Sequence, residues 1–433
     1  MLKSARNTDK WINKVVKADC LKLLNRLETE SIDLIVTDPP YGLHFLGKDW
    51  DKAIPSQKVW DECFRVLKNG SFIFVMSAPR MDLQYRMAMN LEKAGFDIGF
   101  TPIYWAYSSG FPKAMNIGKA IDKRAGVERK VIGQYDYPDG CDRPSAKEDM
   151  GFVQEYVKKH SGTYNTKRIV DRLAITEPAT PEAKKLDGSY AGFQPKPAVE
   201  VVIVAMKPIT EESYVDQALW NAKGITWLDN CRIPILNSKS TIGRFPANLL
   251  VSNDILNDGI ERKGLGKASK RDDKSVFGDF TNTGRQDRLK KFEGDSGSFS
   301  RYYDLDLWFK EKFKEISKDK LELYPFSLIP KPSPSEKERG LSKFTPDSVN
   351  ETFSKNYHPT VKPVKLMSYL ISLASRDGDL VYDPFLGSGT TAVASKMLNR
   401  NYIGTDINKE WLRIATHRLR AVVKSFNLNE LIE

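Results

Sequence analysis

Cysteine and histidine are scarce in this chain and long apolar runs are missing; each shortage removes a class of function. Its 433 residues hold four cysteines (Cys20, Cys63, Cys141 and Cys231), widely separated and with no Cys-x-x-Cys pair. That spacing argues against a disulfide scaffold or a zinc site and fits free thiols in a reducing cytoplasm. The four histidines (His44, His160, His358 and His417) are scattered without metal-ligand spacing. No apolar run reaches the roughly 18 residues that a membrane helix needs. The opening MLKSARNTDKWINK lacks the apolar stretch of a secretory leader. A cytoplasmic location without a membrane is the expectation.

What is abundant is positive charge. The formal net charge is +11, which suits a polyanionic partner such as nucleic acid. Apolar residues make up 40%, ample for a packed core, and the length suits one large α/β unit with a sizeable insertion.

From 14 to 108 strands and helices alternate. KVVKA reads as a strand, DCLKLLNRL as a helix, and SIDLIVT as a β-branched run suited to a buried parallel strand. QKVWDECFRVL puts Val59, Cys63, Val66 and Leu67 on one helical face and stops at Asn69-Gly70. SFIFVMSA, MDLQYRMAMNLEKAG and FDIGFTPIYWAY continue as strand, helix and strand. From 111 to 198 the pattern dissolves into polar, Gly- and Pro-bearing sequence, an insertion, before a returning sheet strand at 199–207. Residues 208–355 are the least regular. At 356–433 the pattern returns: PVKLMSYLISLAS places Val364, Met367, Ile371 and Ala374 on one face, and DLVYD, SGTTAVASKMLNR, NYIGTDI and KEWLRIATHRLRAVV follow as strand, helix, strand and helix. The expected fold is a doubly wound, Rossmann-like parallel sheet, with the C-terminal β-α-β unit completing the N-terminal one.

DPFLGSGTT, 383–391, falls where a strand meets a helix. Gly387 and Gly389 allow either a tight turn or close approach of backbone to a ligand. A phosphate-cradling loop would need a lysine after Gly389, and a dinucleotide fingerprint a third glycine where Ala392 stands. Asp406, ending the next strand, has the spacing of an acid that reaches two ribose hydroxyls; capping the helix KEWLRIA is its other reading. Together these favour S-adenosylmethionine as the ligand.

DPPY, 38–41, follows the strand SIDLIVT. With DPPY, FLGSGTT and TDIN in that order, the chain resembles the amino-methylating DNA methyltransferases. The long irregular segment between the first two motifs resembles the β-class permutation, in which the target-recognition region (here 208–355) separates catalytic from cofactor motifs. The resemblance implies that 1–110 is the catalytic half and 356–433 the S-adenosylmethionine-binding half. It makes Asp38, Pro39, Pro40 and Tyr41 catalytic. It gives the cofactor Asp383, Phe385, Gly387, Ser388, Gly389, Thr390 and Asp406. Asp19 resembles the acid that meets the adenine, and HPTVKP, with His358, Thr360 and Lys362, the segment lining the methionine end. TPIYWAYSSGFPK, with Tyr104, Trp105 and Tyr107, resembles the strand and loop flanking the target base.

The chemistry accounts for DPPY. An exocyclic amino nitrogen is a poor nucleophile because its lone pair is delocalised into the ring. The Asp38 carboxylate and the Pro39 carbonyl, accepting its two N–H bonds, would localise that pair, and the prolines fix the carbonyl direction beforehand. Tyr41 would stack on an extruded base or, alternatively, fill the core. Carbon-5 methylation needs a thiolate that in its family follows a proline; here the cysteines follow Asp19, Glu62, Gly140 and Asn230. In the family, Asp in the first motif position goes with adenine N6 and Ser with cytosine N4, so adenine in double-stranded DNA is favoured and cytosine N4 is the alternative. An RNA methyltransferase and a catalytically silent DNA-binding protein are the remaining readings. A cognate restriction endonuclease and a homodimer are the further expected partners, and RQDRLKK (285–291) is a candidate backbone-contacting run, with a solvated face as its other reading.

Overall fold

In the computed structural model the described residues are 6–43, 51–107, 114–134, 174–193, 195, 198–235, 243–252, 254–263, 296–313 and 360–422. They form two compact units, Met1–Gly110 with Ala198–Glu433, and Phe111–Pro197. Of the residues singled out above, His44, Cys141, His160, Arg285–Lys291 and His358 lie outside the described ones.

The strands are, in chain order, β1 (Lys14–Lys17), β2 (Leu34–Thr37), β3 (Phe72–Ser77), β4 (Ile103–Ala106), β5 (Val131–Gln134), β6 (Ala174–Thr176), β7 (Val199–Met206), β8 (Leu249–Val251), β9 (Arg262–Lys263), β10 (Ser296–Gly297), β11 (Leu380–Asp383) and β12 (Asn401–Asp406). Eight of them make the sheet of the larger unit, ordered β1-β12-β11-β2-β3-β7-β4-β8. The five strands from β1 to β3 run parallel, so the C-terminal strands β11 and β12 are inserted between β1 and β2.

Helices cover both faces, and alternate strand residues serve each. Leu34, Val36, Phe74, Met76 and Val202 pack towards the helices Val364–Ala374 and Leu305–Lys312. Ile35, Ile73, Val75 and Ile203 pack on the other face with Leu23, Trp60, Cys63 and Met87, from the helices Cys20–Leu24, Gln57–Val66 and Met81–Lys93. Fully burying each of these large apolar side chains is worth about 1.5–3 kcal/mol. Gly70 is required where the helix Gln57–Val66 hands over to β3. Its φ is +79°, and a Cβ there would lie 2.7 Å from the Gly224 backbone nitrogen.

Three sequence expectations need correction. The returning strand β7 is antiparallel to both β3 and β4, so the doubly wound sheet is mixed. A continuous apolar run such as VEVVIVAM reports burial on both faces and is silent on direction. The helix Val364–Ala374 is buried on every side, so its supposed single face is one part of a wholly internal helix. The helix begun by DCLKLLNRL stops at Leu24, where the Arg65 guanidinium collects the carbonyls of Leu24 and Leu27 at 2.7 and 3.0 Å.

In the smaller unit β5 and β6 pair antiparallel, and two helices, Ile117–Arg124 and Pro181–Lys185, pack together. Asp122 is its buried polar staple: it accepts the Ala179 and Thr180 N–H groups and pairs with Arg129 at 3.3 Å. Among the described residues no helix is long and apolar enough to cross a membrane, and no group of His, Cys, Asp or Glu is arranged to hold a metal.

Candidate active site

Four parallel strands end side by side, and acidic residues sit where they end. Lys17 of β1 lies opposite Asp406 of β12, Asp383 of β11 opposite Gly404, and Tyr382 opposite Ile35 of β2. Asp19 therefore follows β1, Asp406 closes β12, Asp383 closes β11 and Asp38 follows β2. Open α/β sheets bind ligands in the crevice beyond such carboxyl ends. Because β7 runs in reverse, its first residues come to the same edge, and Glu200 arrives there beside Trp105 of β4.

Distant parts of the chain are tied directly. Thr37 Oγ1 donates to Asp383 Oδ1 at 2.7 Å, and Asp383 also accepts from Thr391 Oγ1 at 2.6 Å and from the Phe385 N–H at 3.0 Å. Burial pushes the Asp383 carboxyl up to about 6, against the pull of these three donors. Asp383 thus binds strand, loop and helix to one another.

The second tie is Lys362. Its Nζ lies 2.7 Å from Asp38 Oδ2 and 3.3 Å from Glu200 Oε2, and 5.4 Å from the centre of the Tyr41 ring. Burial alone would lower its pKa, but the Asp38 and Glu200 carboxylates outweigh burial and hold it above the ordinary lysine value. Tyr41 donates its hydroxyl to Asp38 Oδ1 at 2.7 Å and approaches Glu200 Oε2 at 3.5 Å. Its phenol is pushed up by burial first and then by those two acids. Lys362, expected at the methionine end of the cofactor, is in contact with the DPPY acid. Tyr41 packs partly against the core, and its hydroxyl fixes the acid.

The glycine turn is equally well determined. Gly387 has φ +54° and its N–H donates to Asp406 Oδ2 at 3.0 Å; Asp406 Oδ1 accepts the Asn408 N–H at 2.7 Å. Burial raises the Asp406 pKa, and the two N–H donors oppose it. Helix Lys409–Ala421 is capped by Asn408, not Asp406. At Gly389, φ is +88° and a Cβ would sit 2.6 Å from Ala415 Cβ, so helix packing demands this glycine. Asp19 caps helix Cys20–Leu24, accepting the Leu21 and Lys22 N–H groups. Phe385 is partly buried, Ser388 and Thr390 are buried, and Thr360 lies two residues before Lys362.

Comparison with known proteins finds likenesses over parts of this chain. Residues 226–417 match the family model N6_N4_Mtase, described as DNA methylase. That match spans the glycine turn and Asp406, and DPPY lies before it. Among curated proteins, a 64-residue stretch is 50% identical to the Type II methyltransferase M2.DpnII of Streptococcus pneumoniae, covering 15% of this chain and 24% of that one. Another, of 70 residues, is 47% identical to the Type II methyltransferase M.HpaI of Haemophilus parainfluenzae, covering 16% and 22%. The chain thus matches under a quarter of the length of these relatives. Among solved structures, the cytosine-N4-specific PvuII DNA methyltransferase aligns with TM-score 0.40 at 14% identity, covering 99% of this chain and 91% of that one. The M1.HpyAVI–SAM complex aligns with TM-score 0.36 at 15% identity, covering 94% and 99%.

Sequence reasoning passed over three residues of the site. Glu200 had a signal, as the single acid in the apolar run VEVVIVAM. Thr37, at the end of a buried strand, gave none. Nor did Arg418, buried in the last helix, whose guanidinium donates to the Ser388 carbonyl at 2.8 Å and to Thr390 Oγ1 at 3.2 Å and so braces the glycine turn. Of the aromatic trio, Trp105 is a core residue whose Nε1 donates to Ser252 Oγ at 3.2 Å.

Proposed function

We propose that this protein is an S-adenosylmethionine-dependent, site-specific DNA methyltransferase that modifies an exocyclic base amino group, adenine N6 in the β-class arrangement. The observation that carries the reading is the adjacency of Asp38 and the Gly387–Gly389 turn at the ends of neighbouring parallel strands joined by the Thr37–Asp383 hydrogen bond. The family match at 226–417 and the net charge of +11 support DNA as the partner.

The residues present fit the cofactor. The Asp406 carboxylate, with lone pairs beyond those its two N–H donors use, suits ribose hydroxyls. Ile407 beside it is an apolar side chain left 64% exposed, suited to covering a flat adenine. Asp19, Thr360, Phe385, Ser388 and Thr390 belong to the same proposed lining. When bound, S-adenosylmethionine supplies an electrophilic sulfonium methyl.

Asp38 is the acceptor for the amino group. Lys362 and Tyr41 hold one oxygen each, so the carboxylate keeps one orientation before substrate arrives. With its N–H bonds engaged, the amino nitrogen forms the new N–C bond while the C–S electron pair stays on sulfur. The proton then surplus on nitrogen passes to Asp38 and on to water. The residue type in the first motif position, Asp38, favours adenine. A cognate restriction endonuclease, a homodimer and target recognition by 208–355 belong to the same proposal.

The test is incubation with methyl-tritiated S-adenosylmethionine and either duplex DNA or RNA, followed by digestion and nucleoside identification. N6-methyladenine from DNA supports the reading, and N4-methylcytosine would replace its base. Label confined to RNA, or absent from both, refutes it.

A further inference from the structure

Backbone pairing between β2 and β11 stops short of the site. It runs through Leu34 opposite Val381 and Ile35 opposite Tyr382. Continued in the same register, Val36 would face Asp383 and Thr37 would face Pro384, which has no N–H to offer a ladder. Neighbouring strands that stop pairing at their carboxyl ends leave room for a ligand. They also leave the residues just beyond them without a shared backbone frame. Asp38 follows one of these strands, and the Gly387–Gly389 turn follows the other.

The Thr37 side chain supplies a tie where the ladder ends. On its other edge Thr37 still pairs with Val75 of β3. Towards β11 its buried Oγ1 donates to Asp383 Oδ1 at 2.7 Å. Asp383 in turn accepts the Phe385 N–H and the Thr391 hydroxyl, the latter from the helix Thr390–Met397. A carboxylate acceptor makes such bonds short and strong, and burial strengthens them further. A trans peptide spanning about 3.8 Å links the Thr37 and Asp38 Cα atoms. Pro39 disfavours the helical alternative for Asp38. A displacement of Thr37 therefore passes to Asp38 with little slack.

Resting on the reading above, we infer that Thr37 is a positioning residue for methyl transfer: its hydroxyl, bonded to Asp383, fixes the acid Asp38 in register with the glycine turn. Thr37 acts through Asp383 on one side and through its peptide bond to Asp38 on the other.

The experiment uses the full chain and long unmethylated duplex DNA of mixed sequence, with tritiated-methyl transfer as the readout. Thr37→Val keeps the branched shape and removes the hydroxyl. Its kcat is expected to fall about 10- to 100-fold, with KM for DNA and the calorimetric Kd for S-adenosylmethionine within about threefold of wild type. Thr37→Ser, which restores the donor, is expected to turn over within about threefold of wild type. Met87→Ala, a cavity in the core helix Met81–Lys93, serves as the stability control and is expected to keep kcat well below its melting temperature. Losing the Thr37 donor should also raise the Asp383 pKa above its value of about 6, moving that transition to higher pH in urea unfolding of Thr37→Val.

Unchanged kcat in Thr37→Val, a loss confined to KM or to cofactor affinity, or equal rates for the Ser and Val variants each overturns the inference. So does an equal fall in Met87→Ala, or an unmoved Asp383 transition. All of these leave the methyltransferase reading intact. A wild-type chain that labels no DNA overturns the reading itself, and the inference with it.

Discussion

Gly389→Ala should cost stability before any ligand is considered. The backbone there has φ +88°, and a Cβ would meet Ala415 Cβ at 2.6 Å and Ala415 Cα at 3.0 Å. Holding a non-glycine residue in left-handed backbone costs about 1–2 kcal/mol. Overpacking against a helix backbone, which has no rotamer to yield, adds about 1–3 kcal/mol. The expected loss is therefore about 2–5 kcal/mol, a large share of the roughly 5–15 kcal/mol that stabilises an ordinary domain. Urea titration of the cofactor-free protein, followed by circular dichroism and tryptophan fluorescence, measures it. Adding Ala415→Gly removes the steric partner and should recover part of the loss, less about 1 kcal/mol for a glycine inside a helix. A loss below about 1 kcal/mol in the cofactor-free chain, accompanied by lost S-adenosylmethionine binding, would show that the glycine serves ligand approach and that the packing argument is wrong.

Three further outcomes are expected. Burial raises the folded-state pKa of Asp383 from the ordinary carboxylate range to about 6, so the folded chain holds that proton more tightly than the unfolded one. The stability from that proton is full below about pH 4 and disappears as pH rises through 6, a change of about 3 kcal/mol that Asp383→Asn should abolish in pH-dependent urea unfolding. Lys362→Met, by removing the ammonium that Asp38 and Glu200 share, should destabilise by about 3 kcal/mol and slow transfer while leaving calorimetric S-adenosylmethionine affinity nearly unchanged; selective loss of cofactor binding would place Lys362 at the methionine end. In a Cys141→Ser background the remaining thiols should show no fast reaction with an aromatic disulfide reagent at pH 8. Cys20, Cys63 and Cys231 are buried and their thiols are pushed up by desolvation, Cys20 to about 12, and a fast phase would contradict that burial.

How much of this was legible beforehand depended on whether a property is local. The apolar runs SIDLIVT and SFIFVMSA announced buried strands, and the β-α-β tail announced its place in the same sheet, because burial and helical period are written in neighbouring residues. Strand direction is not written there, so the strand at 199–207 was legible and its reversal was not. Partnerships across hundreds of residues are equally invisible. Nothing near HPTVKP says that Lys362 meets Asp38, and nothing in the last helix says that Arg418 braces Ser388. The asparagine at 408 took the capping role allowed to Asp406, leaving that acid to orient the glycine turn. Glu200 was visible as an oddity, an acid in an apolar strand, but its meaning depended on the strand's reversal.

The insertion of β11 and β12 between β1 and β2 also sets a schedule for biosynthesis. Among the described residues β1 pairs only with β12 within the sheet, and one edge of β2 waits for β11. At about 5–20 residues per second, a ribosome that has released β2 needs on the order of 20–70 s more before those partners emerge. The pairing of β1 and of one edge of β2 therefore waits through most of translation. No amino-terminal fragment could assemble the proposed pocket early.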